Sequence, residues 1–326
     1  MGAAIVMESL RKQYGDLVAV DGLSLEVEQG EVFGLLGPNG AGKTTTIRML
    51  VGLTEPDGGR AAVNGFDVIR EPVKMKAGVG VVPELSNLYP ELTCLDNLLY
   101  TAELYGVPRR ERLARSEALL EQVGLTNRRD AGFGKLSRGM KRRLTIAAAL
   151  VHRPAVLFLD EPTTGLDVFS ARSLRGLVRE LNAGGTTIVL TTHLIAEADE
   201  LCHRIGLLVK GRLLALDSPA ALKSRVAAEQ RLWVELESEP PATALEQLAA
   251  VPSLSLAETA GNRLLLAATD VHAALRDVVA WSVNHGLRIR HLATQPPTLE
   301  EAFVRLTGID ADVMTVDKPQ KPAGGG

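Results

Sequence analysis

The stretch GPNGAGKT, residues 37–44, decides the fold of this chain. It follows the apolar run EVFGLL and precedes TTTIRMLVGL, so a glycine-rich turn would join a buried strand to a helix. Gly40 and Gly42 let successive backbone N–H groups curl around a phosphate at the positive end of that helix. Lys43 adds a mobile positive charge, and the Thr44 hydroxyl is suited to Mg²⁺. The predicted phosphate-binding residues are Gly37, Pro38, Asn39, Gly40, Ala41, Gly42, Lys43, Thr44 and Thr45.

A second stretch, VLFLDEP at residues 156–162, ends an apolar strand in two adjacent acids. Asp160 can hold Mg²⁺ through water, opposite Thr44. Glu161 can polarise an attacking water as general base, an effect worth ~10² to 10⁴ in rate. The competing interpretations are a plain glycine turn and a strand that simply ends in solvent. Each becomes weaker because both stretches occur in one chain, and together they predict a site that hydrolyses a nucleotide.

The first two thirds of the chain have the pattern of an α/β domain. β-Branched runs alternate with glycine turns and helical stretches up to residue 216, which predicts strands buried on both faces. The expected strands are 31–37, 79–82, 156–160, 187–191 and 205–209. Helix formers dominate between roughly 86 and 152, so a helical subdomain is expected there. KGRLLALDSP then closes this unit as a hairpin and turn.

The pattern changes after a short helix at about 219–228. From RLWVELE to RIRHLAT the order is strand, helix, strand, strand, helix, strand, which is a ferredoxin-like signature. PTLEEAFVRLTG adds one capped helix. We therefore expect a nucleotide-binding α/β domain at 1–228 and an α+β domain at 229–310. Residues 311–326 are polar and rich in Pro and Gly, which predicts a disordered tail.

Composition excludes several classes of protein. With 326 residues, 46% hydrophobic and 23% charged, the chain reads as a globular protein of about two domains. Its net charge of −3 argues against a dedicated nucleic-acid binder. Cys94 and Cys202 lie far apart and read as free thiols. No signal-peptide pattern opens the chain, and no run of about 18 apolar residues predicts a membrane span.

These motifs resemble those of the ATP-binding subunit of an ABC transporter, over about residues 4–217. The resemblance implies a P-loop NTPase fold and ATP and Mg²⁺ as ligands. It also implies that Tyr14, in YGDLVAV, stacks on adenine. It implies that Asp167, in GLD, reaches across a dimer interface. His193, in LTTHLIAEADEL, would touch the γ-phosphate or the attacking water.

Two segments of the sequence depart from the family pattern. The loop after VGVVP usually offers glutamine to Mg²⁺ and water, whereas this chain has Glu84, a carboxylate that can still ligate Mg²⁺. The family's LSGGQ, aimed at the γ-phosphate held by the opposite subunit, becomes LSRGM at 136–140. Ser137 and Gly139, which the family uses there, are kept. Arg138 adds a charge that could meet phosphate or an acid of the partner.

Three basic residues follow this motif, namely Lys141, Arg142 and Arg143. They could form a nucleic-acid patch, but aromatic residues are not interleaved with them and the whole chain is acidic. A helix start with an exposed basic face explains them at least as well. We therefore expect no nucleic-acid partner.

Three features resemble the type-2 exporters of drugs, lipids, polysaccharides or sodium. They are the Gly-Met variant of the signature, PELSNLYPELT at 83–93, and the ending PPTLEEAFVRLTG. The resemblance implies a separate integral membrane permease, a second copy of this chain in an ATP-sandwich dimer, and peripheral attachment to the cytoplasmic face of the membrane. Residues 85–105 would help to receive the permease. The alternatives are a soluble ABC ATPase acting on nucleic acid or ribosomes, and a nucleotide switch without hydrolysis.

Overall fold

The computed structural model describes residues 2–226, 230–268, 270–295 and 297–310. The described chain forms two compact units, residues 2–219 and residues 220–309. The predicted disordered tail, 311–326, lies outside the described residues. Each unit has its own hydrophobic core and is described separately.

The first unit contains ten strands and seven complete helices among the described residues. The strands are β1 (Ala3–Tyr14), β2 (Leu17–Glu28), β3 (Val32–Leu36), β4 (Gly58–Val63), β5 (Phe66–Asp67), β6 (Val79–Val82), β7 (Val156–Asp160), β8 (Thr187–Thr192), β9 (Arg204–Val209) and β10 (Arg212–Asp217). The helices are α1 (Lys43–Leu50), α2 (Pro72–Ala77), α3 (Cys94–Leu104), α4 (Arg109–Gln122), α5 (Arg138–Leu150), α6 (Val168–Ala183) and α7 (Ile195–Leu201).

The central sheet has six strands in the order β10–β9–β3–β8–β7–β6, all parallel except β10. Every residue of β3, β7 and β8 is buried, which explains why these strands are continuous apolar runs. The five strands predicted from the sequence are confirmed to within one residue at each end. Because the carboxyl ends of parallel strands meet at one edge, the sheet places residues after β3, β7 and β8 side by side.

A second, antiparallel sheet has the order β2–β1–β4–β5 and was not predicted from the sequence. It shares a core with α1 and the central sheet, in which Ile5, Leu10 and Val20 are fully buried. The alternation of buried and exposed residues along β2 is the signal that could have revealed it. This sheet matters for function because it carries Tyr14 and Ala19 towards the phosphate loop.

The predicted helical region between 86 and 152 is confirmed. In the described residues between β6 and β7 the chain forms α3, α4 and α5, with short 3₁₀ turns at Thr126–Arg128 and Phe133–Lys135. The first turn of α5 is capped by Ser137, whose Oγ accepts the N–H of Met140 at 3.3 Å. The apolar run that follows, from Leu144 onward, is buried.

The second unit begins within α8 (Pro219–Arg225). Its elements are β11 (Gln230–Leu236), α9 (Ala242–Ala249), β12 (Leu254–Ala260), β13 (Arg263–Ala268), α10 (Val271–Asn284), β14 (Ile289–Gln295) and α11 (Leu299–Thr307). The sheet order is β12–β13–β11–β14, with every pair antiparallel. The order of elements is the one expected from the sequence, and membership of the ferredoxin-like fold stays a prediction. α11 starts with a capping box formed by Thr298 and Glu301.

The division between the two units lies earlier than the expected boundary at 228–229. The helix expected at 219–228 ends at Arg225, and residues 227–229 lie outside the described residues. Arg305 of α11 donates a hydrogen bond to the carbonyl oxygen of Val226 at 3.1 Å. This bond ties the chain after α8 to the last helix of the second unit.

Candidate active site

The phosphate loop closes around its own lysine. Lys43, the first residue of α1, is buried, and its Nζ donates to the carbonyl oxygens of Gly37 at 2.6 Å and Pro38 at 3.2 Å. Gly42 has φ of 104°, and a Cβ at this position would lie 2.3 Å from the carbonyl oxygen of Ala19. Only glycine allows this approach. The loop therefore holds a cation on carbonyl oxygens that phosphate oxygens could replace.

A cavity of about 310 Å³ opens over the loop. Residues 39–45 contribute to its lining, together with Tyr14, Arg48 and Glu161. The Tyr14 side chain is 45% exposed, and Lys12 Nζ lies 5.5 Å from the centre of its ring. An exposed aromatic ring beside a phosphate loop can stack on a base. The structure thus places Tyr14 on the lining of the cavity over the phosphate loop, and its contact with adenine stays a prediction.

Thr44 and Asp160 offer oxygen atoms that suit Mg²⁺. Thr44 Oγ1 donates to Asp160 Oδ1 at 3.2 Å, and Thr191 Oγ1 donates to the same oxygen at 2.5 Å. Burial raises the pKa of Asp160, hydrogen bonds from the two threonines oppose this, and the charges of Glu161 and Glu84 raise the pKa further. A cation would relieve this accumulation of buried negative charge.

The same pair fits the way in which Mg²⁺ is usually held. Among the described residues, no group of three or more His, Cys, Asp and Glu side chains is arranged as a metal site. Mg²⁺ typically takes only one or two protein carboxylates, with phosphates and waters as its other ligands. Thr44 and Asp160 therefore fit a cation that arrives with a nucleotide.

Glu161 is held between two basic side chains. Its Oε1 lies 3.2 Å from Lys43 Nζ, and its Oε2 lies 2.7 Å from His193 Nδ1. Burial alone would raise the pKa of Glu161, but the hydrogen bond with His193 and the charge of Lys43 outweigh it and lower the pKa. The carboxylate is therefore ionised at neutral pH, and Nδ1 of His193 carries the proton of their hydrogen bond.

The backbone turns sharply at Glu161, directly after the strand. β7 ends at Asp160, and Glu161 has φ of 48°, a left-handed conformation that is rare outside glycine. Its N–H donates to the carbonyl oxygen and to Oγ1 of Thr191, both at 3.1 Å. The turn aims the carboxylate at Lys43 and His193. Strained backbone of this kind often occurs at functional sites.

The signature stretch lies away from the phosphate cavity. Of the described residues, none from 136–140 lines that cavity. Gly139 is buried against α6, where a Cβ at 139 would lie 2.5 Å from Ser170 Oγ. The N–H and Oγ of Ser170 donate to the carboxylate of Asp167 at 2.9 and 2.7 Å, so that Asp167 caps α6. Ser170 therefore lies between Gly139 and Asp167, two residues that the resemblance assigns to a dimer interface.

Comparison with known proteins identifies the family. The sequence model of the family described as ABC transporter matches residues 20–164. The chain is 41% identical over 308 residues to the daunorubicin resistance ATP-binding protein of Streptomyces coeruleorubidus, covering 94% of this chain and 96% of that protein. It is 42% identical over 310 residues to Nod factor export ATP-binding protein I of Burkholderia thailandensis, covering 94% and 97%. This chain belongs to the ATP-binding proteins of ABC transporters.

A solved structure agrees with this assignment. The dimeric structure of a post-hydrolysis state of an ATP-binding cassette bound to ADP and Pi matches with a TM-score of 0.60 and 26% identity, covering 66% of this chain and 98% of that chain. The predicted resemblance and the P-loop NTPase fold are confirmed, and the chain is an ABC ATPase of the exporter group rather than one that acts on nucleic acid or ribosomes. No helix in the described ranges is long and apolar enough to cross a membrane.

Two of the residues that depart from the ABC pattern, Glu84 and Arg138, lie on one cavity of about 330 Å³. Glu84 and Arg138 line it together with residues 164–166 of the same chain. Glu84 is close enough to Asp160 for its charge to raise the pKa of that carboxyl. Arg138 therefore extends along the loop of its own ATPase domain that precedes Asp167. Whether it also meets a phosphate or an acid of a second copy stays a prediction.

The prediction of an exposed basic face was wrong for Arg142. Its side chain is buried, only 5% exposed, whereas Lys141 lies over the ring of Phe133 and Arg143 donates to the carbonyl oxygen of Val123 at 3.2 Å. The three cations point to three different places, so they do not form one basic surface. The sequence did contain a signal for this burial. If the helix begins after the Ser137 cap, Arg142 lies one turn before Ile146 and therefore on the same, buried face.

Proposed function

We propose that two copies of this ABC ATPase bind two ATP molecules between them and drive a separate integral membrane permease that exports a substrate. The observation that carries the proposal is the position of Glu161, which is ionised, contacts both Lys43 and His193 and lines the phosphate cavity. A general base must lie within hydrogen-bond reach of the water that it activates and must be able to accept its proton.

The residues would act as follows. Lys43 would leave the carbonyl oxygens of Gly37 and Pro38 and bind the β- and γ-phosphates of ATP, while the N–H groups of the loop hold the β-phosphate. Glu161, released from Lys43, would accept a proton from the attacking water. His193 would keep the carboxylate oriented through its Nδ1–H. Tyr14 would stack on the adenine ring.

The metal site would use oxygen ligands from three elements. Thr44 and Asp160 would hold Mg²⁺, with Glu84 as a third ligand in place of the usual glutamine. Bound Mg²⁺ neutralises phosphate charge during phosphoryl transfer. Asp160 would keep its orientation through the hydrogen bond from Thr191.

A second copy would complete each ATP site. Ser137, Arg138, Gly139 and Asp167 lie outside the chain's own phosphate cavity, which favours a role towards a nucleotide held elsewhere. The helix dipole at the start of α5 would add positive potential at Ser137 and Gly139. A related cassette forms a dimer with ADP and Pi, which supports the same arrangement here.

A group of exposed apolar side chains suits attachment to a permease at the cytoplasmic face of the membrane. They lie in the range 85–105 and comprise Leu85, Tyr89, Tyr100, Leu104 and Tyr105. The rings of Tyr89 and Tyr100 meet edge to face, with centroids 5.2 Å apart. An exposed apolar group of this kind favours a protein partner. The names of the relatives, a drug-resistance and an export ATP-binding protein, support export as the process.

An ATPase assay with Glu161→Gln tests the proposal. We expect turnover to fall by at least about 100-fold. The variant should accumulate an ATP-bound dimer that elutes earlier on size-exclusion chromatography, whereas ADP should leave it monomeric. Glu121→Gln, a change at an exposed glutamate of α4, is the matched control and should behave like wild type. A wild-type chain that turns over no faster than Glu161→Gln, even with its permease, would instead be a nucleotide switch.

A further inference from the structure

We propose that Arg142 is a positioning residue for ATP hydrolysis. It holds in place the backbone at the carboxyl ends of β6 and β7, next to Glu84 and Glu161. It projects from α5, the helix that begins after the signature serine. Its guanidinium donates one hydrogen bond to the carbonyl oxygen of Pro83 and another to the carbonyl oxygen of Glu161 at 2.8 Å. A longer contact of 3.5 Å joins it to the carbonyl oxygen of Asp160.

These acceptors belong to two neighbouring strands. Pro83 follows β6 directly and precedes Glu84, whereas Asp160 ends β7 and precedes Glu161. One rigid planar group therefore bridges the carboxyl ends of β6 and β7, next to the residues assigned to the metal and to the water. Lysine could not reproduce this bridge, because its ammonium group is a single point and lacks the planar fork.

The conformation of Glu161 explains why such a bridge is needed. A left-handed residue other than glycine persists only when its surroundings hold it. The N–H of Glu161 is bonded to Thr191, and its carbonyl oxygen is bonded to Arg142. The backbone is thus fixed on both sides of the residue whose carboxylate faces Lys43 and His193.

Electrostatics supports a specific role for this buried cation. Burial lowers the pKa of Arg142, and the charges of Asp160, Glu84, Glu197 and Glu161 act in the opposite direction. Its hydrogen bonds to Pro83, Asp160 and Glu161 all go to backbone carbonyls. The guanidinium of Arg142 therefore bonds to the backbone of Asp160 and Glu161 and not to their carboxylates. Their carboxylate oxygens stay available to Lys43, His193, threonine hydroxyls and a cation.

The predicted effect of Arg142 on turnover rests on the proposed function. The bridge itself can be tested without turnover. Arg142→Gln should lower kcat for ATP about 10- to 100-fold with KM changed less than about threefold, because positioning for chemistry is lost while the binding loop is intact. Arg142→Lys should fold as well as wild type and recover only part of kcat. Arg143→Gln, a neighbour bonded to the carbonyl oxygen of Val123, is the matched control and should keep kcat within about twofold.

A second readout does not depend on turnover. In hydrogen exchange followed by mass spectrometry, amides of 82–86 and 160–164 should exchange at least about tenfold faster in Arg142→Gln than in wild type, with Arg143→Gln unchanged. Unchanged exchange in both segments would overturn the inference even if the wild type showed no turnover. A kcat of Arg142→Gln within twofold of wild type would also overturn the inference. A rise in KM that accounts for the whole loss of kcat/KM would do the same. A wild-type chain without turnover but with the expected exchange would contradict only the proposed function.

Discussion

Lys43 Nζ and Glu161 Oε1 form a buried ion pair at 3.2 Å, between the lysine of the phosphate loop and the carboxylate assigned to water activation. Each partner is about nine-tenths buried or more. The contact means that the two groups stabilise one another. ATP would have to separate them, because its phosphates and Glu161 are both negatively charged and would compete for Lys43.

Replacement of Glu161 and replacement of Lys43 should therefore have opposite effects on ATP binding. Glu161→Gln removes a competitor for Lys43, so we expect ATP to bind several-fold more tightly, a change of about 1 kcal/mol. Lys43→Met should weaken ATP binding by at least about 100-fold, since the loop loses its charge. Calorimetric titration of each variant with ATP measures this. Equal affinity in Glu161→Gln and wild type would mean that the pair opens without cost.

The same pair predicts a difference in stability without nucleotide. Lys43→Met leaves a buried carboxylate with one partner fewer and removes a donor from the carbonyl oxygens of Gly37 and Pro38, of which Pro38 still accepts from the N–H of Ala41. We expect a loss of about 1–3 kcal/mol in the free energy of unfolding, measured in urea. Glu161→Gln should lose less than about 1 kcal/mol, because glutamine can still accept from His193.

Glu84 should determine how much Mg²⁺ the enzyme needs. Glu84→Gln restores the residue that the family uses, but it removes a carboxylate that favours a divalent cation. We expect the Mg²⁺ concentration for half-maximal activity to rise about three- to tenfold, with kcat at saturating Mg²⁺ within about tenfold of wild type. Glu91→Gln, a change at an exposed glutamate further along the same loop, is the control. A Mg²⁺ requirement that does not change would remove Glu84 from the set of metal ligands.

The signature stretch should tolerate change at Arg138 and not at Ser137. Ser137→Arg removes the cap of α5 and places a bulky cation where a nucleotide on the second copy would approach, so hydrolysis should be abolished. Arg138→Gly should keep hydrolysis within about tenfold, roughly 1.4 kcal/mol of activation free energy. Steady-state ATPase assays distinguish the two. An equal loss in both variants would show that Arg138 takes part in the catalytic machinery.

His152 should make the stability of the first unit depend on pH. Its ring stacks on Tyr105 with centroids 3.8 Å apart, and its Nε2 lies 3.0 Å from the carbonyl oxygen of Val79. Burial lowers the pKa of His152 below the ordinary 6.5, and the bond to Val79 opposes this only in part. The unfolded chain therefore binds the proton more readily, so stability is full above about pH 7 and is lost as pH falls from the unfolded pKa through the lower folded pKa.

Replacement of this histidine tests the sign of the effect. In His152→Gln, the loss of unfolding free energy between pH 7.5 and pH 5.5 should be smaller than in wild type, because no imidazole has to be buried without its proton. Urea unfolding at the two pH values measures it. His272→Gln, at an exposed histidine of the second unit, should keep the wild-type dependence. A wild-type dependence in His152→Gln would assign the effect to another group.

Some features of the site could be read from the sequence because they are local. The loop 37–44 and the acids Asp160 and Glu161 each belong to one short segment whose glycines, charges and flanking apolar runs have a direct physical meaning. The antiparallel sheet of β1 and β2 escaped prediction, since its short alternating pattern is weaker than a continuous apolar run. The burial of Arg142 escaped as well, because a basic residue near a helix start usually faces solvent.

The sequence by itself determined the phosphate loop, the strand that ends at Asp160 and the other strands of the buried sheet. Contiguous apolar runs, glycine turns and helix caps act over a few residues, and their effect does not depend on the rest of the chain. The tertiary structure decided the left-handed backbone of Glu161, the Lys43–Glu161 pair and the bridge that Arg142 forms between the carboxyl ends of β6 and β7. Each depends on a contact between side chains or carbonyls far apart in the chain. Only the packing of α1, α5 and the central sheet brings those groups within hydrogen-bond distance.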